Sequence, residues 1–165
     1  MGKIRKNSWD GIGKELFSRL GNAIKSLQFI AFFLVGIILI GGIGIWLPYF
    51  TDKSGAAVLF ESQNVFTYAV AILGTLVVEG FFGNKQKSLA ALGLISGVLA
   101  FLLCSIGYYK LQTGLSIWVN IGAILSLLLF LLANVNDDRF DDEEEESTSS
   151  STGYSDANAA KIVDK

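Results

Sequence analysis

One acidic residue interrupts the apolar run LVVEGFF between residues 76 and 82. An acid inside a membrane segment is by default a proton or cation site, so Glu79 is the first residue whose type and position suggest chemistry. Glu79 lies roughly 6 Å along a helix from Gly83, where water and headgroups can reach it. Two interpretations remain open: a coupling or gating site, or a charge that positions the helix at the boundary and pairs with Lys85 and Lys87.

Most other catalytic chemistry lacks the residues that it needs. The chain of 165 residues has no histidine and a single cysteine, Cys104, so it can form neither an internal disulfide nor a Cys/His metal site. The sequence shows no nucleophile–base pair, and the GGIG glycines (41–44) lie in an apolar run rather than in a phosphate-binding loop. We therefore predict a protein that is not an enzyme, with no catalytic, metal-binding or cofactor-binding residue and no direct contact with nucleic acid.

The elements that carry Glu79 are predicted to be membrane helices. Charged residues make up 17% of the chain, below the roughly 25% of soluble domains. The middle of the chain holds four apolar segments, each near the ~20 residues that cross a bilayer core. The sequence therefore predicts an all-α membrane protein whose four transmembrane helices lie in residues 28–135, at 28–47, 65–82, 89–108 and 115–135.

The basic residues predict the orientation of these helices. Six precede the first segment and two, Lys85 and Lys87, lie in the turn after the second, whereas only Lys53 and Lys110 lie on the other side. The positive-inside rule then places both termini in the cytoplasm. We expect a multi-pass protein of the cell inner membrane.

Residues 1–27 have the pattern of an amphipathic helix at the cytoplasmic surface of the membrane. At about 100° per residue, the apolar side chains fall in an arc of roughly 140° and the polar ones fill the other side. The interpretations are an interfacial anchor, a lipid or curvature sensor, or a docking helix for a partner. The side chains expected at the membrane surface are Trp9, Ile12, Leu16, Leu20, Lys14 and Arg19.

Small residues recur at a spacing of four in the third segment. Gly93 and Gly97 form a G-x-x-x-G pattern, and Ser96, Ala100 and Cys104 form a second row. Such rows let helix backbones approach closely in lipid. They predict either a contact between copies in a homo-oligomer or packing within the chain's own four-helix bundle.

Residues 136–165 are acidic and rich in serine and threonine, which predicts a disordered cytoplasmic tail. One interpretation is a solvated tail that keeps clear of the anionic leaflet. The other is a binding segment for a basic soluble partner protein. Its candidate contact residues are Asp141, Asp142, Glu143, Glu144, Glu145 and Glu146.

These features favour a membrane sensor or anchor for a cytoplasmic partner over a small homo-oligomeric channel or exporter, and both over a membrane enzyme. The layout, a short chain with four spans from 28 to 135 and cytoplasmic ends, resembles the KwaA family over most of its length. KwaA is the four-span membrane subunit of the bacterial Kiwa anti-phage system. The resemblance implies an oligomeric sensor of phage attack or envelope disturbance that acts with a soluble KwaB partner.

Overall fold

The computed structural model describes residues 11–79 and 87–140, and this part of the chain is helical, without strands. Trp9, Lys85 and the acidic run 141–146, all singled out by the sequence, lie outside the described residues. The helical segments are α1 (Ile12–Lys25), α2 (Leu27–Ala31), a π-helix (Phe32–Gly41), α3 (Ile43–Thr51), α4 (Ser62–Glu79), α5 (Lys87–Lys110), α6 (Ile117–Asn134) and a 3₁₀ turn (Asp138–Phe140).

Two helices of the described residues, α5 and α6, are long and apolar enough to cross a membrane. The number rises to three if α1 and the segment Leu27–Gly41, which meet at 84°, count as one bent span. Helices α5 and α6 correspond to the predicted third and fourth segments. Of the bent pair, only Leu27–Gly41 corresponds to the predicted first segment, and α1 lies in the region predicted as an amphipathic helix. The predicted second segment corresponds to α4. The described helix includes Ser62, Gln63, Asn64 and Glu79, which lower its hydropathy, and the predicted residues 80–82 lie outside the described ranges.

Helices α5 and α6 pack closely because small residues face each other. Ala100 and Cys104 of α5 are fully buried. A Cβ on Gly122 of α6 would lie 2.8 Å from the Ala100 carbonyl oxygen and would also collide with the Cys104 sulfur. Only glycine therefore allows this approach, and such small-residue contacts are how membrane helices gain van der Waals contact.

Helix α4 joins this pair at the end of the bundle opposite α1. The buried Ser62 hydroxyl donates to the Gly114 carbonyl (2.7 Å) and accepts from the Ser116 amide (3.1 Å). The Ser62 amide also donates to the Gly114 carbonyl, at 2.8 Å. The start of α4 is thus tied to the turn between α5 and α6, and the Gly114 carbonyl and the Ser116 amide of that turn are satisfied.

The predicted first span consists of three helical pieces in succession, namely α2, the π-helix and α3. Gly42 stands at the break between the π-helix and α3, where any Cβ would collide with the Ile38 carbonyl oxygen. Two side chains donate to carbonyls beside the break: Tyr68 of α4 to Ile37 (2.8 Å) and Trp46 to Leu39 (2.9 Å). They satisfy irregular backbone that lipid could not hydrate.

Candidate functional site at the α1 end of the bundle

Helix α1 lies across one end of the bundle. Ser26 adopts an extended conformation between α1 and α2 (φ −83°, ψ 109°), which ends the first helix. Its hydroxyl then accepts from the Phe29 amide at 3.2 Å and so caps the second helix. Serine suits this place because its side chain replaces a missing helical acceptor. The result is the 84° bend between α1 and Leu27–Gly41.

Arg19 fixes α1 to the end of α6. Its side chain is buried, and its Nη1 donates to the Leu132 carbonyl at 2.9 Å while its Nε donates to Glu15 at 3.0 Å. Leu132 belongs to the last turn of α6, whose carbonyls have no partner within the helix. A cation at this end also complements the negative pole of the helix dipole. Arg19 therefore serves as a cap for α6 supplied by another helix.

Further contacts extend this attachment to the turn that follows α6. The side-chain amide of Asn22 donates to the side-chain oxygen of Asn136 at 3.0 Å, and the Ser26 hydroxyl lies 3.5 Å from the Phe140 carbonyl. Phe29 is buried against Phe140, ring edge to ring face, with 5.2 Å between centroids. We call this contact of α1 and the start of α2 with the end of α6 and residues 135–140 the α1–α6 junction.

Glu79 lies at the same end of the molecule, at the exposed end of α4. Arg139 donates two hydrogen bonds to Asp137, at 3.0 and 2.8 Å. These bonds are the main reason why the pKa of Arg139 is raised, and the negative charge of Glu79 adds to the effect. The field of Glu79 thus reaches the segment after α6. Its pairing with Lys85 and Lys87 stays a prediction, since Lys85 and the side chain of Lys87 lie outside what the structure describes.

The side chains of α1 divide into three sectors around the helix. The sector on the bundle contains Ile12, Leu16, Arg19 and Ala23, which pack on the core or are buried. Next to it lies an exposed apolar edge, and beyond that an exposed basic face. The apolar edge comprises Phe17, Leu20 and Ile24, and the basic face comprises Lys14, Ser18 and Lys25.

The candidate oligomer residues of α5 have different surroundings. Ala100 is fully buried against α6 of its own chain, and Ser96 is half-buried. Gly93 and Gly97 are buried, but Gly97 also lines an apolar groove of about 280 Å³ between α4 and α5, opposite Gly74. The placement of Ala100 favours packing within the chain for that residue, and the contact between copies stays a prediction.

The sequence did not reveal that Arg19 faces the bundle or that Phe140 takes part in the junction. The helical pattern placed Arg19 with the polar residues, at the edge of the apolar arc, and its i, i+4 pairing with Glu15 was the available signal. Phe140 was visible as a single aromatic residue among acids. Neither signal names the partner, because periodicity shows which residues share a face and not what that face meets.

The junction joins α1 to residues 135–140 through buried and hydrogen-bonded side chains. Within the described residues, no group of three or more Cys, Asp or Glu side chains could hold a metal ion. Ile12, Leu16, Leu20, Lys14 and Arg19 lie together on α1, but Arg19 points into the junction.

No protein-family model, curated protein or solved structure matches this chain.

Proposed function

We propose that this chain is a four-span inner-membrane protein, not an enzyme, that holds a soluble partner at the cytoplasmic face and reports the state of the membrane to it. The observation that carries the proposal is the α1–α6 junction. Through it, α1, which we propose to lie at the membrane surface, is attached to residues 135–140, which directly precede the acidic run 141–146. A change at one of these segments therefore has a direct physical route to the other.

The four spans and their orientation are part of the proposal. Helices α5 and α6 have the length and composition for two spans. The segment Leu27–Gly41, continued by α3, supplies the first, and α4 with the predicted residues 80–82 supplies the second. The α1 end carries Lys14, Arg19 and Lys25, so the positive-inside rule places this end in the cytoplasm.

The partner contact is assigned to the acidic run 141–146, which begins directly after Phe140. A run of like charge is suited to a basic protein surface. The buried contact of Phe29 with Phe140 fixes the root of the tail against the junction. The resemblance to the KwaA family would make the partner an effector of anti-phage defence, and the homo-oligomer belongs to the same proposal.

The test asks whether the partner is bound by the negative charge of the tail or only needs the tail to be present. The tagged full-length protein is purified from its host in mild detergent, and co-purifying proteins are quantified by mass spectrometry. Changing all six acids of 141–146 to Asn or Gln should remove a stoichiometric soluble partner and leave membrane insertion unchanged. The matched control changes Ser147, Thr148 and Ser149 to Ala, which keeps the charge and should keep the partner.

A partner that stays bound to the neutralised tail would contradict the proposed contact. A pure homo-oligomer with nothing attached would contradict the anchor function itself.

A small homo-oligomeric channel or exporter is the second candidate. It is supported by the apolar groove between α4 and α5, where Gly74 and Gly97 leave room for side chains from a helix of another copy, and by the exposed Glu79 at the end of α4. In this case Glu79→Gln should abolish ion flux in liposomes while the oligomer stays assembled. Failure of the variant to insert or assemble would assign Glu79 a structural role instead.

A further inference from the structure

Helix α1 keeps an apolar edge exposed although its neighbouring sector packs on the bundle. Phe17 and Ile24 are 79% and 78% exposed, and Leu27, which continues the edge past the bend, is 75% exposed. Burying such side chains yields about 25 cal/mol per Å² of apolar surface. A contiguous exposed apolar edge therefore marks a surface that meets something other than water.

The edge has a positively charged border. Lys14 and Lys25 are exposed on the adjacent face of α1. The acid within the helix, Glu15, lies on the opposite flank and is paired with Arg19 at 3.0 Å. Within Ile12–Lys25, apolar and cationic side chains thus stand side by side without an acid between them. This combination is complementary to a layer that is apolar inside and negatively charged outside.

The orientation of α1 agrees with such a layer. The helix meets Leu27–Gly41 at 84°, so α1 lies nearly parallel to the membrane plane if Leu27–Gly41 crosses it. Leu27 begins that crossing segment and adjoins the edge. The edge is therefore at the height where a span enters the bilayer, which is the level of the headgroups.

We propose that the edge formed by Phe17, Leu20 and Ile24 inserts at the boundary of the acyl chains, while its border of Lys14 and Lys25 binds anionic lipid headgroups of the membrane that holds the protein. The inference rests on the proposed function and deepens it, because it names anionic lipid as what the sensor reads. Arg19 holds α1 on α6, so the edge is presented to the lipid in a fixed orientation.

The experiment measures water access to two neighbouring faces of α1 in the full-length protein. Ile24→Cys reports on the edge and Ser18→Cys is the matched control on the basic face, each labelled with a membrane-impermeant maleimide in nanodiscs. The discs contain phosphatidylcholine alone or with about 30% phosphatidylglycerol, an anionic lipid. The native Cys104 is fully buried between α5 and α6 and does not compete.

With phosphatidylglycerol present, we expect Ile24→Cys to react about tenfold more slowly than Ser18→Cys, since the edge is buried at the interface. The protection should weaken in phosphatidylcholine alone. Adding Lys14→Gln and Lys25→Gln should raise the labelling rate at Ile24→Cys in the anionic discs by up to about tenfold, to the rate of Ser18→Cys, because the loss of both lysines weakens the attraction to the anionic surface by at least that factor.

Equal labelling of the two positions in anionic discs would overturn the inference. Protection that is the same in both lipids and insensitive to the lysine changes would show apolar contact only, and would overturn the assignment to anionic lipid. The discs hold no soluble partner. Either failure therefore leaves the proposed recruitment through the acidic tail intact, and a failure of that recruitment would leave the labelling result intact.

Discussion

Helix α5 meets α6 along a face of small residues, whereas the first helical stretch, residues 27–51, reaches the bundle through aromatic rings and single hydrogen bonds. In the α5–α6 contact, Ala100 and Cys104 are fully buried, and Gly122 admits no larger side chain without a shift. Along the π-helix Phe32–Gly41, by contrast, none of the ten residues, all within the described part of the chain, is buried.

The difference has a physical reason. Lipid offers helices no hydrophobic drive to associate, so their contacts depend on close packing of small residues or on polar bonds between helices. The α5–α6 pair depends on close packing of small residues. The first stretch depends on polar bonds between helices at a few points, such as the hydrogen bond from Tyr68 to Ile37. Regions with few buried contacts open at lower free energy, so we expect movement in the first stretch and rigidity in α5–α6.

The largest expected effect comes from adding one methyl group to the tight contact. Gly122→Ala places a Cβ 2.8 Å from the Ala100 carbonyl oxygen, so α5 and α6 must separate. Overpacking of this kind costs about 1–3 kcal/mol. Unfolding in mixed micelles, followed by circular dichroism, should show that loss of stability.

Gly44→Ala is the matched control in the first stretch. Gly44 lies within α3, and a Cβ there would meet no atom within 4 Å. We expect no loss and a gain of up to about 1 kcal/mol, because alanine favours the helix over glycine. Equal destabilisation by the two variants would contradict the contrast between the two regions.

A smaller effect is expected where the first stretch depends on one hydrogen bond. Tyr68→Phe removes the donor that lies 2.8 Å from the Ile37 carbonyl. A hydrogen bond between membrane helices contributes about 0.6 kcal/mol to stability on average. Hydrogen exchange should therefore accelerate along Phe32–Gly41 and stay unchanged in α6.

Thr75→Val provides the control for that measurement. The Thr75 hydroxyl bonds to Ala71 within its own helix, at 2.8 Å, so its loss frees no contact between helices. Acceleration of exchange in Phe32–Gly41 by Thr75→Val, or none by Tyr68→Phe, would show that this bond does not hold the first stretch.

The two regions also differ in how far the sequence predicts them. Apolar segments predicted at 89–108 and 115–135 correspond to α5 and α6, because an uninterrupted apolar run of about 20 residues has few alternatives to a helix. The segment 28–47 is equally apolar, but its division at Gly42 depends on the absence of a Cβ there, since a Cβ would collide with the Ile38 carbonyl oxygen. Hydropathy does not contain such local backbone geometry.

At the candidate site, composition predicts the elements and packing decides their roles. The amphipathic pattern singled out the residues of α1 but could not divide them between bundle and solvent. Arg19 illustrates this, since it was expected at the membrane surface and instead donates to Leu132, 113 positions away. Contacts of such separation depend on how the ends of two helices meet, which no periodicity encodes.

The smallest expected effect concerns the loop that ends the first stretch. The Asp52 carboxylate accepts from the Ser54 hydroxyl (2.6 Å), the Ser54 amide (2.8 Å) and the Ala57 amide (2.7 Å). These hydrogen bonds, that from the Ser54 side chain first, lower the pKa of Asp52 from 3.8 to about 2. A lowered pKa means that the carboxylate stabilises the loop above about pH 4, and that this contribution is lost as the pH falls through about 2.

Titration of the Ala57 amide by NMR in micelles should therefore show a midpoint near pH 2, and Asp52→Asn should remove the transition. A midpoint near the ordinary value of 3.8 would mean that the carboxylate does not hold the loop. Because Asp52 is the residue directly after α3, a loop opened by acid should leave the hydrogen exchange of α5 and α6 unchanged. Slower exchange is thus expected to persist in the tightly packed pair after the loop that follows α3 has opened.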